Sequence, residues 1–150
     1  LGWLSRFLKR SLIFPIPGDG KFIRQPLYVG DFCKIIESCI FNKKVNMRFN
    51  ISGLEKIYYI DLIKMLKSAS KGRSYILKIP YLLFWALLKV YSLFSNNPPF
   101  TTSQLEALVI PEEFEIIDWP SIFNINSTSL KSALNETFND EKYSNIVLKF

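Results

Sequence analysis

Histidine is absent from this sequence of 150 residues, and cysteine occurs only twice, at Cys33 and Cys39. Without histidine there is no Ser–His or Cys–His catalytic pair and no zinc site of the usual Cys and His type. The two cysteines lie six positions apart in a helical pattern, where they cannot bond to each other without breaking the helix. Buried free thiols favour a reducing compartment, so we expect a cytoplasmic location.

Long hydrophobic runs are lacking as well. The most apolar stretch, residues 79–94, is interrupted by Lys89 and is shorter than the roughly 20 residues needed to span a bilayer. Two interpretations remain open for it, a buried helix and a helix that rests on a membrane surface. The amino end shows no signal peptide, and because the chain begins with Leu1 we expect it to start within a longer reading frame.

Acidic residues are outnumbered by basic ones, which gives a net charge of +6. The nineteen Lys and Arg residues are scattered, and the only dense group is Arg6, Lys9 and Arg10. Neither interleaved exposed aromatics nor a known nucleic-acid motif accompanies them. A solvated basic surface is therefore expected, with no nucleic-acid partner.

What the chain does have is apolar material, 49% of residues, with 15% aromatic residues, which indicates a folded domain rather than a disordered one. Apolar periodicity and turn residues predict helices and strands in alternation, and alternation favours an α/β fold. The predicted helices are 3–12, 31–41, 58–71, a segment after Pro80, 101–109 and 128–134. The predicted extended segments are 12–16, 22–29, 47–52, 75–79 and 123–126, with turns at 17–20 and at the Asn96–Pro99 break and a loop at 111–120. Segments 12–16 and 22–29 would form a hairpin or be joined by a loop between strands. Thr101 and Gln104 have the spacing of a capping box.

The most distinctive motif is Gly18-Asp19-Gly20 followed by Arg24-Gln25-Pro26-Leu27-Tyr28-Val29-Gly30-Asp31. It resembles a segment of the NAD-dependent epimerase/dehydratase family, the extended short-chain dehydrogenases. The resemblance continues through Asn50-Ile51-Ser52-Gly53, Gly72-Arg73, Ile79-Pro80 and residues 101–105, and covers most of residues 12–134. It implies the carboxy-terminal portion of a Rossmann-type enzyme, the last sheet strands plus a small, mostly helical substrate lobe.

The resemblance also implies site residues. Arg24 would contact the pyrophosphate of a nucleotide-sugar substrate, because a guanidinium forms paired hydrogen bonds with phosphate oxygens. Pro15 and Pro17 would form the wall beside the nucleotide base, although proline has no N–H to offer. The alternative for Arg24 is a salt bridge to Asp19 or Asp31. Asp31 is expected to stabilise the start of its own helix through the helix dipole.

Two features of the family are missing from the chain. The cofactor fingerprint needs a third closely spaced glycine, and the corresponding position holds Ile23. No tyrosine is followed by lysine four positions on, so the catalytic Tyr-x-x-x-Lys pair is absent too. We therefore expect no catalytic, cofactor-binding or metal-binding residue in this chain, and NAD bound only by a longer parent protein.

The resulting hypothesis has residues 1–135 as the substrate-binding lobe and residues 136–150 as a polar tail. Its partners would be a nucleotide sugar and a missing amino-terminal dinucleotide-binding half. The parent would be a nucleotide-sugar epimerase or dehydratase of surface-polysaccharide metabolism, and these residues alone would be inactive. The alternative is a noncatalytic binding or assembly module with the same fold, peripheral at a membrane.

Overall fold

The computed structural model describes residues 1–42, 46–95 and 100–139, and over these residues the chain is a mixed α/β structure. The chain divides into two compact units, each made of two separate stretches of the sequence. Unit 1 is Leu1–Arg24 with Tyr58–Glu112, and unit 2 is Gln25–Ile57 with Glu113–Phe150. The elements in chain order are α1 (Gly2–Arg10), β1 (Ile13–Pro17), β2 (Ile23–Arg24), α2 (Val29–Phe41), β3 (Ile57–Tyr58), α3 (Tyr59–Ala69), β4 (Tyr75–Ile79), α4 (Tyr81–Phe94), α5 (Thr102–Val109), α6 (Trp119–Phe123) and α7 (Leu130–Asn139).

Unit 1 is organised around a parallel pair of strands. β1 pairs with β4 from Ile13 opposite Tyr75 to Pro17 opposite Ile79. A parallel pair needs a long crossover connection, and here it contains α3, which packs against α1. The unit's buried apolar residues include Leu8, Phe14, Ile16, Ile63, Leu66 and Leu105.

Buried polar groups hold the end of α1 against the start of β4. The backbone N–H groups of Arg73 and Ser74 both donate to the Leu8 carbonyl, at 2.9 and 3.1 Å. The Ser74 hydroxyl, fully buried, lies 2.9 Å from the same carbonyl. Since helix-end carbonyls have no partner within their own helix, these bonds satisfy one that burial would otherwise make costly.

Unit 2 has its core where α2 meets α6. Ile35, Trp119 and Phe123 form the buried cluster. The Trp119 indole N–H donates to the Ser52 carbonyl at 3.0 Å, which ties the loop before β3 to this core.

Gln25 connects the loops of unit 2 through one buried side-chain amide. Its nitrogen donates to the Gly53 carbonyl at 2.7 Å and to the Ser52 hydroxyl at 3.2 Å, while its oxygen accepts from the Phe114 N–H at 2.8 Å. The loops approach so closely that a Cβ on Gly53 would lie 2.1 Å from the Pro26 carbonyl oxygen. Only glycine fits there without moving the backbone.

Several predicted elements are confirmed. The helices after Pro80 and from residues 3, 31, 58 and 101 exist with shifts of a few residues at their ends. The extended segment 75–79 is β4, and 12–16 overlaps β1. The capping box is present, with the Thr101 side chain accepting from the Gln104 N–H and the Gln104 side chain accepting from the Thr101 N–H.

Other predictions differ from the structure. The hairpin alternative for residues 12–29 is wrong, because β1 pairs in parallel with the distant β4. Residues 47–52 form no strand within the described part of the chain, since no described strand lies beside them. Residues 123–126 are not extended, because Asn124 adopts a left-handed conformation, φ 53°, that ends α6. The predicted boundary at residue 135 lies inside α7, and residues 96–99 and 140–150 are outside the described residues.

Candidate functional site

The Gly18-Asp19-Gly20 turn positions the candidate site in unit 1. Both glycines have positive φ, 60° and 72°, a conformation that residues with a side chain rarely adopt. A Cβ on Gly20 would lie 2.8 Å from the Ile16 Cγ2 atom and 2.9 Å from the Ile60 Cβ atom. The turn therefore requires glycine at this position for space as well as for conformation.

The segment after this turn caps the amino end of α3. Tyr58, at the helix start, provides no side-chain cap. Instead the Tyr59 N–H donates to the Phe22 carbonyl at 2.9 Å and the Ile60 N–H donates to the Gly20 carbonyl at 3.1 Å. Main-chain carbonyls thus replace the side-chain cap that helices commonly use, and they fix the path of the chain into Arg24.

Arg24 is buried, and its guanidinium group contacts the carboxy-terminal end of α5. Nη1 donates to the Ile110 carbonyl at 2.8 Å and to the Ile23 carbonyl at 2.9 Å, and Nη2 donates to the Leu108 carbonyl. The last carbonyls of a helix lack partners and carry the negative end of its dipole, so a cation is favoured there. Arg24 is therefore a structural cap for α5.

One edge of this guanidinium is not engaged by carbonyl groups in the described part of the chain. Its Nε lies 3.8 Å from a carboxylate oxygen of Glu112, whose side chain is 55% exposed. Neither alternative partner from the sequence, Asp19 or Asp31, is bound to Arg24. A phosphate group approaching Arg24 would meet this edge and would have to replace the Glu112 carboxylate.

Two aromatic rings support the guanidinium group. Phe22 and Tyr59 stack with ring centroids 5.0 Å apart, and Arg24 Cζ lies 5.2 Å from the Phe22 centroid and 6.0 Å from that of Tyr59. A guanidinium over an aromatic face is electrostatically attracted to it. The stacked rings therefore favour the orientation in which Arg24 reaches the end of α5.

Tyr59 gives this cluster a measurable pH dependence. Burial raises the pKa of Tyr59 from 10.0 to about 12, while the positive charge of Arg24 acts in the opposite direction. The folded state favours the neutral phenol, so its contribution is complete below pH 10 and is lost as the pH rises through about 12. A difference of two pKa units corresponds to about 3 kcal/mol.

We therefore expect urea unfolding between pH 9 and pH 12 to show a steeper loss of unfolding free energy in the wild type than in Tyr59→Phe, by about 2 kcal/mol at pH 12, where the folded-state phenol is half ionised. Tyr58→Phe is the matched control, because the exposed Tyr58 ring lies next in sequence. Parallel pH profiles for wild type and Tyr59→Phe would contradict the burial of a neutral phenol.

Pro15 and Pro17, the predicted wall of the base site, lie in β1, with their backbone nitrogen and carbonyl groups directed away from β4. The Gly18 N–H donates to the Ile79 carbonyl and the Tyr75 N–H to the Leu12 carbonyl. The backbone N–H and carbonyl groups of the even-numbered residues of β1 therefore point toward β4. The two prolines therefore cost no ladder bond and prevent a further strand from pairing there. Pro17 is fully buried and Pro15 half-buried, so only Pro15 offers side-chain surface. For hydrogen bonds a base could use only their carbonyl groups, because proline has no N–H.

Asp31 has a second role beside the one expected at a helix start. Its carboxylate is buried and accepts from both the backbone N–H and the hydroxyl of Thr128, each at 2.7 Å. These bonds join α2 to the segment before α7 within unit 2. Asp31 thus holds two distant parts of the chain together in addition to lying in the first turn of α2.

Unit 2 also contains an open apolar groove of about 590 Å³. Residues of α2, of the predicted strand 47–52 and of α6 line it. The lining residues are Phe32, Ile35, Ile36, Cys39, Ile40, Phe49, Ile51 and Phe123. Ile40 is 70% exposed, and Phe32 and Ile36 are exposed as well. Exposed apolar side chains grouped in this way occur on surfaces that bind another folded element.

Sequence reasoning missed Glu112, Phe22 and Tyr59 as neighbours of Arg24. No sequence signal marked them, because Glu112 lies in a predicted loop and the two rings come from segments far apart in the chain. In the described residues, no three Cys, Asp or Glu side chains come together to hold a metal ion. None of the described helices is long and apolar enough to cross a bilayer.

No model of a known protein family matches the chain, and no curated protein is significantly similar to it.

Proposed function

We propose that this chain is the substrate-side, carboxy-terminal part of an NAD-dependent nucleotide-sugar epimerase or dehydratase of cytoplasmic surface-polysaccharide metabolism. In the proposal an amino-terminal half of the parent binds NAD and carries the catalytic tyrosine and lysine. Arg24 contacts the substrate pyrophosphate, and Pro15 and Pro17 border the base. The chain alone is inactive.

The observation that carries the proposal is the open groove of unit 2. The alternating residues 47–52 have the pattern of a strand but no described strand beside them, and the exposed apolar side of α2 lies next to them. A parallel sheet is covered by helices on its faces, and a strand at its edge needs a neighbour. Both needs are met at once if a dinucleotide-binding sheet extends over residues 47–52 and packs on α2.

A test of the whole proposal uses the complete gene product. We expect it to bind NAD and to convert a uridine, thymidine or guanosine diphosphate sugar into an epimer or a dehydrated sugar. NMR of the reaction mixture identifies the product. The upstream sequence should contain a glycine-rich turn and a Tyr-x-x-x-Lys pair. Binding of a nucleotide sugar without turnover, in a protein without that pair, would instead identify the noncatalytic module.

The assignment of Arg24 is tested through Glu112 rather than through Arg24, because removing Arg24 also removes the α5 cap. If a pyrophosphate occupies the Nε edge, it competes with the Glu112 carboxylate. Glu112→Gln should then tighten nucleotide-sugar binding by about two- to tenfold, the effect of removing one nearby like charge. Isothermal titration of the complete protein measures this.

Glu113→Gln is the matched control, since Glu113 is an adjacent exposed carboxylate that pairs with Lys56 and not with Arg24. It should leave the affinity unchanged. Equal affinities for wild type and Glu112→Gln would reject the pyrophosphate contact while leaving the family proposal intact. A complete protein that binds no nucleotide sugar would reject the family proposal itself.

A further inference from the structure

Helix α4 in unit 1 is apolar on nearly all sides, yet most of it is exposed. Its only buried residue is Phe84, which stacks on Phe100 with ring centroids 6.2 Å apart. The Trp85 indole N–H donates to Glu106 of α5 at 3.2 Å. α4 therefore packs along one narrow side only. A helix that is apolar all round is normally covered on every side.

The opposite side of α4 presents a continuous row of large apolar side chains to solvent. At a rotation of 100° per residue, Leu83, Val90 and Phe94 fall opposite the packed side, and Phe94 is 86% exposed. Lys89 and Ser92 fall on or beside the packed side, so no polar residue interrupts the outward face. The exposed apolar members of the helix are Leu82, Leu83, Leu87, Val90, Leu93 and Phe94.

The charge of unit 1 indicates what covers this face. Residues 1–24 and 58–112 contain eleven Lys and Arg against four Asp and Glu, whereas the rest of the chain contains eight against nine. In the sequence, the segment from Leu62 to Leu105, which contains α4, has six basic residues and no acidic residue. A second copy of the chain would bring the same positive charge to the contact, and like charges oppose association. The surface of an anionic lipid bilayer complements both the apolar row of α4 and the positive charge of unit 1, because it offers acyl chains and negative headgroups together.

From these observations we infer that α4 lies on the surface of an anionic phospholipid bilayer, with its outward row inserted among the acyl chains and the basic residues of unit 1 near the headgroups. Fourteen residues of α4 correspond to about 21 Å, too short for the roughly 30 Å hydrocarbon core. The helix lies in the interface and does not span it. This inference does not depend on the proposed enzymatic function.

The test is sedimentation of the complete protein with vesicles. We expect binding to vesicles of phosphatidylcholine with about a third phosphatidylglycerol, and binding at least about tenfold weaker to pure phosphatidylcholine, because the basic residues lose their partners. Raising the salt from about 0.1 M to about 1 M shortens the screening length from about 10 Å to about 3 Å and should release the protein. Wild-type protein that stays in the supernatant with anionic vesicles overturns the inference.

The double variant Leu83→Glu, Val90→Glu places two charges in the outward row and should lower vesicle binding by about tenfold or more. Leu12→Glu is the control, because Leu12 is an 89% exposed apolar residue of unit 1 outside α4, and it should bind nearly as wild type does. Equal binding by the double variant and the wild type would exclude α4 as the contact.

Sedimentation equilibrium without lipid tests whether a second copy of the chain covers the apolar row of α4 instead. A wild-type dimer that the double variant converts to a monomer would assign the row to a second copy and overturn the lipid inference. If the double variant fails to fold by circular dichroism, the comparison of anionic with neutral vesicles and the salt series on wild-type protein still decide the outcome.

Discussion

Replacing Arg24 by methionine is expected to lower the free energy of unfolding by about 3–5 kcal/mol, the range seen when one partner of a buried charged contact is removed. Methionine keeps much of the aliphatic stem but has no N–H donors. The carbonyl groups of Leu108 and Ile110 would then be left without the guanidinium that now caps α5. Urea unfolding followed by circular dichroism measures the loss.

Two further variants make the Arg24 result specific. Glu112→Gln removes the carboxylate that lies beside Arg24 and should cost less than about 1 kcal/mol, because that group is mostly exposed and screened. Arg24→Lys keeps the charge, but a single ammonium cannot reproduce the planar fork that reaches several carbonyls, so it should behave closer to methionine than to wild type. A stable Arg24→Met protein would show that the capping contacts contribute little.

Replacing Trp119 by alanine should lower the unfolding free energy by a similar amount, about 3–5 kcal/mol. The change leaves a large cavity beside Ile35 and Phe123 and also removes the donor to the Ser52 carbonyl. Because Phe123 lines the groove of unit 2, the substitution should also disturb that surface. Thermal unfolding monitored by circular dichroism tests the stability loss.

Trp119→Phe separates the two contributions. It fills most of the cavity but cannot donate, so we expect an intermediate loss of about 1–3 kcal/mol, the cost of a buried unsatisfied carbonyl. Ile122→Ala, in the same short helix but partly exposed, should cost less than about 1 kcal/mol. If Trp119→Ala were no more harmful than Ile122→Ala, the core of unit 2 would have been misassigned.

The elements that sequence reasoning located well are those whose signals are local. β4 is a short, mostly apolar run bounded by the Gly72–Arg73 turn and by Pro80. The Thr101 capping box needs only residues three positions apart. α2 follows from the apolar period of Phe32, Ile35 and Ile36. Each of these signals lies within about one helical turn or one strand.

The predictions that failed required knowledge of a distant neighbour. Residues 47–52 alternate like a strand, but the alternation does not identify a strand with which they could pair. In the structure, the Gln25 side chain donates to Ser52 and Gly53 at the end of this segment. Strand β1 was open to a hairpin interpretation until its pairing with β4, some sixty residues away, excluded it. The left-handed Asn124 reversed the chain where an extended segment was predicted.

The sequence by itself located most of the helices, the β4 segment and the glycine turn at 18–20, because apolar period and turn chemistry act over a few residues. Arg24 was singled out by the resemblance to a family and not by these local signals. Only the tertiary structure decided that Arg24 caps α5 beside the stacked rings of Phe22 and Tyr59, that Asp31 binds Thr128, and that α2 and α4 leave apolar faces open. Those outcomes depend on which groups burial brings together. A buried donor or acceptor takes whatever partner the fold provides, since leaving it unpaired costs more than any local preference.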